Sequence, residues 1–390
     1  MKYDNQLRYA VNIIESFDGS VPLHNWLKDF FRENKQMGSR DRKQTSEMVY
    51  CFYRLGHAAK TLSTGERILT GLFLCNHSSN EILQYFKPSL NEKIGADFSE
   101  KMAIISSDPG LPEKIFPYSN ELSAGIDHVA FSLSFLRQPD VFIRIRPGFE
   151  KSVRDKLGHH ALVYREIDAS CLACNNATKL DEVLDINREA VIQDMNSQRA
   201  GNFFGKMDAH PAQKIKAWDC CAASGGKSIM LYDQNPSVDL TVSDIRESIL
   251  ANLRKRFYEA GIQKYNIFAA DLLLSDLDIP IPNSSFDLII ADVPCTGSGT
   301  WSRNPDALYF FDEKDIDRYQ AKQKKILSRV IPYLKKNGRL VYITCSVFRR
   351  ENEEMIDYIL QNSALRAENT AVLTGYDQRA DSMFVGSFIA

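Results

Sequence analysis

Up to about residue 125, apolar positions recur every three or four residues. The segments YAVNIIESF, HNWLKDFFREN, SEMVYCFYRLGHAAK and NEILQYF each keep one apolar face between polar positions, the spacing of amphipathic helices. Ser39 can cap the helix that runs from Arg40 to Leu55, with Gly38 supplying the turn. Pro109 and Pro112 break this pattern. Two short strands around a helix come next, at 140–146, 149–157 and 161–167, a small α/β unit ending near Gln193. From about 215 the period alternates. Apolar strands are predicted at 216–221, 238–244, 265–271, 286–293 and 338–346, with helices at 227–234, 246–260 and 312–336 between them. Apolar strands alternating with helices predict a mostly parallel sheet covered on both faces, with ligands at the carboxyl ends of its strands.

A chain of 390 residues is long enough for two or three domains, and 44% hydrophobic with 25% charged residues is the balance of a folded protein rather than a disordered or fibrous one. No run reaches the about 18 apolar residues that span a bilayer, and the first residues lack the apolar stretch of a signal peptide. Eight scattered cysteines do not make a disulfide scaffold. The expectation is a soluble, cytoplasmic protein with reduced thiols. A net charge of −2 gives no general pull toward nucleic acid. Two local runs change that picture: residues 28–60 carry eight Lys/Arg against four acids, and residues 137–156 carry six against three. Each is either a solvated face or a surface for phosphates.

The strand ends hold the candidate chemistry. The first runs through Asp219-Cys220-Cys221-Ala222-Ala223-Ser224-Gly225-Gly226-Lys227-Ser228 into a helix, where paired glycines and free N–H groups admit a ligand. Gly226-Lys227-Ser228 matches the tail of a phosphate-binding P-loop, but Cys221 stands where its first glycine belongs, which disfavours an NTPase. The second strand ends at Asp244, suited to ribose hydroxyls, and the third at Asp271, suited to an adenine edge. One such aspartate reads as a turn former; three in phase, with Asp219, point to a nucleoside cofactor. The fourth strand ends in Asp292-Val293-Pro294-Cys295 and the fifth in Thr344-Cys345-Ser346, so two thiols face the crevice that would hold that cofactor.

The segments DCCAASGGKS, VSD, AADL, ADVPCTGSGTWSRNPD and YITCSVFRRENEE resemble, in order, the motifs of the NOP/Sun family of RNA cytosine-C5 methyltransferases. Val191-Ile192-Gln193-Asp194 is similar to the entry of that family's catalytic domain, and Met383–Phe388 to its last strand pair. Gly38-Ser39-Arg40-Asp41-Arg42 with Met48-Val49-Tyr50 resembles the NusB-like front end of bacterial members. The resemblance implies a helical NusB-like RNA-binding domain over 1–125, an RRM-like α/β unit over 126–195 and a Rossmann-like class I methyltransferase domain over 196–390. It implies S-adenosylmethionine as cofactor and RNA as partner, ribosomal RNA first and transfer RNA second; the chain's own residues give the expectation of no metal and no membrane, and one complete site per chain that of a monomer sufficing. The alternative from another class is an RNA-binding assembly factor without turnover.

By the same resemblance Cys345 is the nucleophile that adds to carbon 6 of cytosine. Cys295 assists release of the carbon 5 proton, and Asp292 meets the charge on the base's N3 and contacts the cofactor. Cys221, Ala222, Ala223, Ser224, Gly225, Gly226 and Lys227 surround the methionine moiety, with Asp244 on the ribose and Asp271 on the adenine. Ser224 stands where the family usually has proline, which removes a fixed φ from the loop, and Cys220 replaces an aliphatic residue. Trp301 and Arg303 either clamp a flipped nucleotide or pack their loop. Cys171-x-x-Cys174 has no second ligand pair, and His159-His160 has no matching spacing, so both read as structural.

Overall fold

The computed structural model describes residues 2–105, 110–205, 214–274, 279 and 281–390. They form two compact units. One comprises 1–122, 127–138 and 300–312; the other comprises 123–126, 139–299 and 313–390.

The first unit is helical. Helices Tyr3–Ser16, Leu23–Glu33, Ser39–Arg54 and Thr64–Cys75 turn the three-to-four-residue apolar stripes inward, burying Ala10, Ile13, Met48, Val49 and Leu72 completely. Ser39 is the first helical residue rather than the cap; Gly38 holds the cap position and no side chain caps it. The unit is completed by 300–312. Tyr309, on the short helix Pro305–Tyr309, lies 5.7 Å from the Phe52 ring and 5.3 Å from that of Tyr53. Arg54 is 4% exposed and donates to the carbonyls of Phe135, Arg137 and Ser302, so a cation that the charge pattern offered to phosphates is spent inside the fold.

The second unit opens with a four-stranded antiparallel sheet of β1 (Val141–Ile145), β2 (Tyr164–Glu166), β3 (Cys171–Cys174) and β4 (Ala190–Ile192), in the order β2-β3-β1-β4. Strand period sends Cys174 into the core with Ile143 and Leu157, and Cys171 into a separate cluster with Phe142 and Met195. Thiols on opposite faces cannot share a metal. No group of three or more potential metal ligands occurs among the described residues.

Most of the basic run 137–156 is paired within the fold, with Arg137 and Lys151 left exposed. Arg144 and Arg146 are 7% and 8% exposed and both pair with Asp233, at 2.6 and 2.7 Å. Lys156 pairs with Glu189 and Arg154 with Glu166. The linear pattern cannot reveal this, because Asp233 arrives from a helix almost ninety positions later.

The seven-stranded sheet consists of β5 (Lys216–Asp219), β6 (Asp239–Asp244), β7 (Asn266–Ala269), β8 (Phe286–Asp292), β9 (Leu334–Thr344), β10 (Arg366–Leu373) and β11 (Met383–Ile389). Its order is β10-β11-β9-β8-β5-β6-β7. The five strands from β7 to β9 are parallel, and β11 runs antiparallel to both its neighbours. Alternation splits the core. Ala217, Val242, Ile290 and Ile343 fill one face, while Trp218, Ile289, Ala291 and Tyr342 fill the other. This is the mostly parallel α/β architecture expected from the sequence, and β5, β6, β8 and β9 deliver their carboxyl ends to one crevice. No helix among the described residues is long and apolar enough to cross a membrane.

Candidate active site

At those strand ends lies a cavity of about 390 Å³, lined by the carboxylates Asp244, Asp271 and Asp292 and the thiols Cys221, Cys295 and Cys345, with Ile245, Ala270, Leu272 and Val293 as apolar wall. Ala223 also lines it, whereas Ala222 is 6% exposed and packs behind the loop. Ser224, Gly225, Gly226 and Lys227 shape the turn without lining the cavity itself.

The turn from β5 to the helix Gly226–Gln234 is held in an unusual backbone: Ala223 has φ +46° and Gly225 φ +82°. A side chain at Gly225 is excluded, since an added Cβ would come within 2.6 Å of the Phe257 ring. At Gly226 an added Cβ meets nothing within 4 Å, so the start of the helix is not crowded there. Ser224, the departure from the family's proline, is not loose. Arg256 donates from Nη1 to both its carbonyl (3.0 Å) and its hydroxyl (2.6 Å), and from Nε to Asn187 Oδ1. A guanidinium fork does here what a fixed φ would do.

Asp244 sits at the end of β6, 7% exposed. Its Oδ2 accepts from Ala223 N at 3.0 Å and its Oδ1 from Arg246 N at 3.0 Å. Arg246 also donates from Nε at 3.1 Å and from Nη2 at 3.4 Å, so all of the about four acceptor sites of the carboxylate are met, and hydroxyl donors would displace this mostly exposed side chain. Asp271 lies two residues beyond β7 and accepts from Leu273 N at 3.0 Å. The cavity thus offers acids for a diol and an apolar slot for a flat ring, which fits a nucleoside cofactor.

Lys227 Nζ lies 2.6 Å from Asp292 Oδ2. Burial works against the lysine's charge, but Asp292, then Asp219 and the Cys345 sulfur, hold its pKa above the ordinary lysine value. Below it, Asp219 is 1% exposed and accepts from Ser228 Oγ at 2.6 Å; burial pushes its carboxyl up to about 7. Its Oδ1 has no partner among the described residues.

Cys295 Sγ and Cys345 Sγ are 3.3 Å apart. The Cys295 thiol is pushed well above the usual cysteine range, first by its hydrogen bond with Cys345, then by burial, the Cys345 charge and Glu351. Trp301 does not reach for a base. It is 5% exposed within the helical unit, 4.7 Å from the Phe311 ring and 6.2 Å from that of Phe116.

Glu351, Gln323 and Arg256 belong to the site but give no signal in the sequence. Glu351 lies inside the motif YITCSVFRRENEE, where its residue type alone assigns it no chemistry. Gln323 is one of two carboxamides on a basic helix, a pattern that reads as solvent-facing, and yet it is fully buried.

This geometry falls within a segment with known relatives. Residues 207–383 match the family 16S rRNA methyltransferase RsmB/F. Ribosomal RNA small subunit methyltransferase B of Proteus mirabilis is 30% identical over 174 residues, which cover 44% of this chain and 39% of that protein. The same enzyme of Shewanella oneidensis is 29% identical over 233 residues, 58% of this chain and 51% of that protein. The chain therefore spans about two fifths to half of the curated relatives it matches. In fold, the crystal structure of PH0851 superposes over 100% of this chain and 99% of that one, with a TM-score of 0.68 at 16% identity. Residues 207–383, which carry the paired cysteines and all of the seven-stranded sheet but its last strand, are similar to the 16S rRNA methyltransferase RsmB/F family.

Proposed function

We propose that this protein methylates carbon 5 of a cytosine in RNA, ribosomal RNA first, with S-adenosylmethionine as the donor. The observation that carries the reading is the pair of sulfurs 3.3 Å apart, lining the same cavity as Asp244 and Asp271. Carbon 5 of cytosine is a poor nucleophile, and covalent catalysis divides the hard step. The Cys345 thiolate adds to carbon 6; its electron pair forms the S–C6 bond, and the former C5–C6 π pair becomes an enamine pair on carbon 5. The Lys227–Asp292 pair meets the charge that develops toward N3, with the lysine keeping a proton beside the carboxylate that faces the base. Bound S-adenosylmethionine supplies an electrophilic methyl group. With Asp244 and Asp271 holding the donor, the enamine pair on carbon 5 takes that group, the S–CH3 bond breaking with its pair left on sulfur.

Release then falls to Cys295. Its proton is held chiefly by the Cys345 neighbour, and once Cys345 is bonded to carbon that cause disappears. The Cys295 thiol gives its proton to water, and the resulting thiolate takes the proton from carbon 5. The C–H electron pair re-forms the C5=C6 bond and expels Cys345 as thiolate, so protons and electrons balance. Phosphate contact falls to exposed lysines of the helical unit, Lys28, Lys35 and Lys43.

The test is transfer of a labelled methyl group to ribosomal RNA from cells lacking the gene, with 5-methylcytosine mapped by bisulfite sequencing. Label appearing only in transfer RNA would move the substrate, and no label in either RNA would overturn the reading. The loop supplies a second measurement. Arg256→Ala frees Ser224 and is expected to weaken S-adenosylhomocysteine binding by roughly tenfold, the worth of one charged hydrogen bond. Calorimetry giving an unchanged Kd would show that the loop holds its shape alone.

A further inference from the structure

The two cysteine loops do not touch through their sulfurs alone. Glu351, fully buried, stands between them. Its Oε1 accepts from Thr296 N at 2.9 Å and from Gln323 Nε2 at 3.0 Å, and its Oε2 accepts from Thr296 Oγ1 at 2.6 Å and Ser346 Oγ at 2.5 Å. Thr296 comes directly after Cys295 and Ser346 directly after Cys345, so one carboxylate grips the residue after each thiol. Gln323 is fixed in turn by donating to Pro294 O at 3.1 Å and accepting from Tyr342 Oη at 3.1 Å. Tyr342 Oη also donates to Glu351 O at 2.7 Å. Ser298 closes the arrangement at 3.1 Å from Ser346 Oγ.

We propose that Glu351 is the positioning residue of the thiol pair: its carboxylate sets the 3.3 Å approach of Cys295 and Cys345, and its charge, bound twice to Thr296 and once to Ser346, keeps the proton on Cys295. Two thiolates this close repel, so the pair keeps at least one proton, and when one is lost something must decide which sulfur gives it up. Lys227 lies on the Cys345 side and is favoured by a negative sulfur there. Glu351 presses on Cys295 and on the phenol of Tyr319. A cation beside one sulfur and an anion beside the other give the pair its polarity. The buried carboxylate survives because four donors meet it, even though burial raises its pKa.

The assignment of the two thiols rests on the function proposed above, but its test needs neither RNA nor cofactor. The full chain is alkylated briefly with iodoacetamide, and labelling of each cysteine is read by mass spectrometry. In the native protein Cys345 reacts first. Glu351→Gln keeps Oε1 for the two fixed N–H donors and turns the other atom toward hydroxyls that can rotate, so the geometry stays and only the charge goes. The Cys295:Cys345 labelling ratio is expected to rise roughly threefold or more. Thr296→Val removes one of the two bonds between the Cys295 loop and the carboxylate at nearly constant volume, the backbone N–H remaining, and moves the ratio the same way. An unchanged ratio in either variant that folds overturns the proposal, whether or not the native protein methylates RNA.

Discussion

Cys345→Ala is expected to lower methyl transfer by on the order of 10⁴-fold or more, the scale of losing a covalent nucleophile, while S-adenosylhomocysteine still binds. The side chain sits at the end of β9 and makes no packing contribution that alanine cannot approximate; its backbone carbonyl, which accepts from Gly299 N at 2.9 Å, is retained. The opposite replacement has a different signature. Cys295→Ala leaves the attacking sulfur in place and removes the group that takes the carbon 5 proton, so the methylated base stays bonded to position 345. A complex of protein and RNA that survives denaturing electrophoresis is expected from Cys295→Ala, none from Cys345→Ala, and none from the double variant. Because the sulfurs are 3.3 Å apart, geometry alone would let either attack. A stable adduct from Cys345→Ala and none from Cys295→Ala would exchange the two roles.

The strand ends are legible in the sequence because parallel strands advertise themselves: FDLIIAD is apolar on both faces, and the residues just past such a run must sit at the mouth of the sheet. That logic alone locates Asp219, Asp244 and Asp292, and β5, β6 and β8 do deliver them to neighbouring positions. Contacts that join distant segments stay hidden. Arg256 reaches Ser224 across 32 positions, and Glu351 reaches Thr296 across 55. Neither leaves a periodic trace. Trp301 misleads for a related reason. Its neighbours in sequence are site residues, but its ring lies among Phe116 and Phe311 of the helical unit. The strands Cys171–Cys174 and Arg366–Leu373 also escape a reading of the pattern, the first because four residues are too few to show a period and the second because it is mostly polar and exposed.

The charge run 137–156 shows how far burial can overrule composition, and it leads to the largest stability effect expected in this protein. Asp233 receives Arg144 Nη1 at 2.6 Å and Arg146 Nη2 at 2.7 Å, all three side chains being about nine-tenths buried. Most of the other donors are spent nearby: Arg146 Nη1 reaches Asn187 O at 3.0 Å and Ala260 O at 2.9 Å, and Arg144 Nε reaches Gln193 Oε1 at 3.0 Å, while the buried Arg144 Nη2 has no partner among the described residues. One carboxylate is therefore the shared counter-ion of two buried cations, on a helix that packs beside the cofactor loop. Asp233→Ala leaves both uncompensated, and breaking a buried pair in this way costs about 3–5 kcal/mol. For a domain of this size that lowers Tm by roughly 10 °C or more. Replacing the trio together, as Arg144→Met, Arg146→Met and Asp233→Leu, removes the unpaired charges as well and is expected to melt close to the native protein. RNA affinity of the folded triple variant is expected to match the native value, since these arginines face Asp233 rather than phosphate. Thermal melts decide the first point: a single variant melting within about 2 °C of native would mean that water or another acid already serves the arginines. A salt titration of RNA binding decides the second, because loss of two phosphate contacts would lower the slope of log K against log salt by about two.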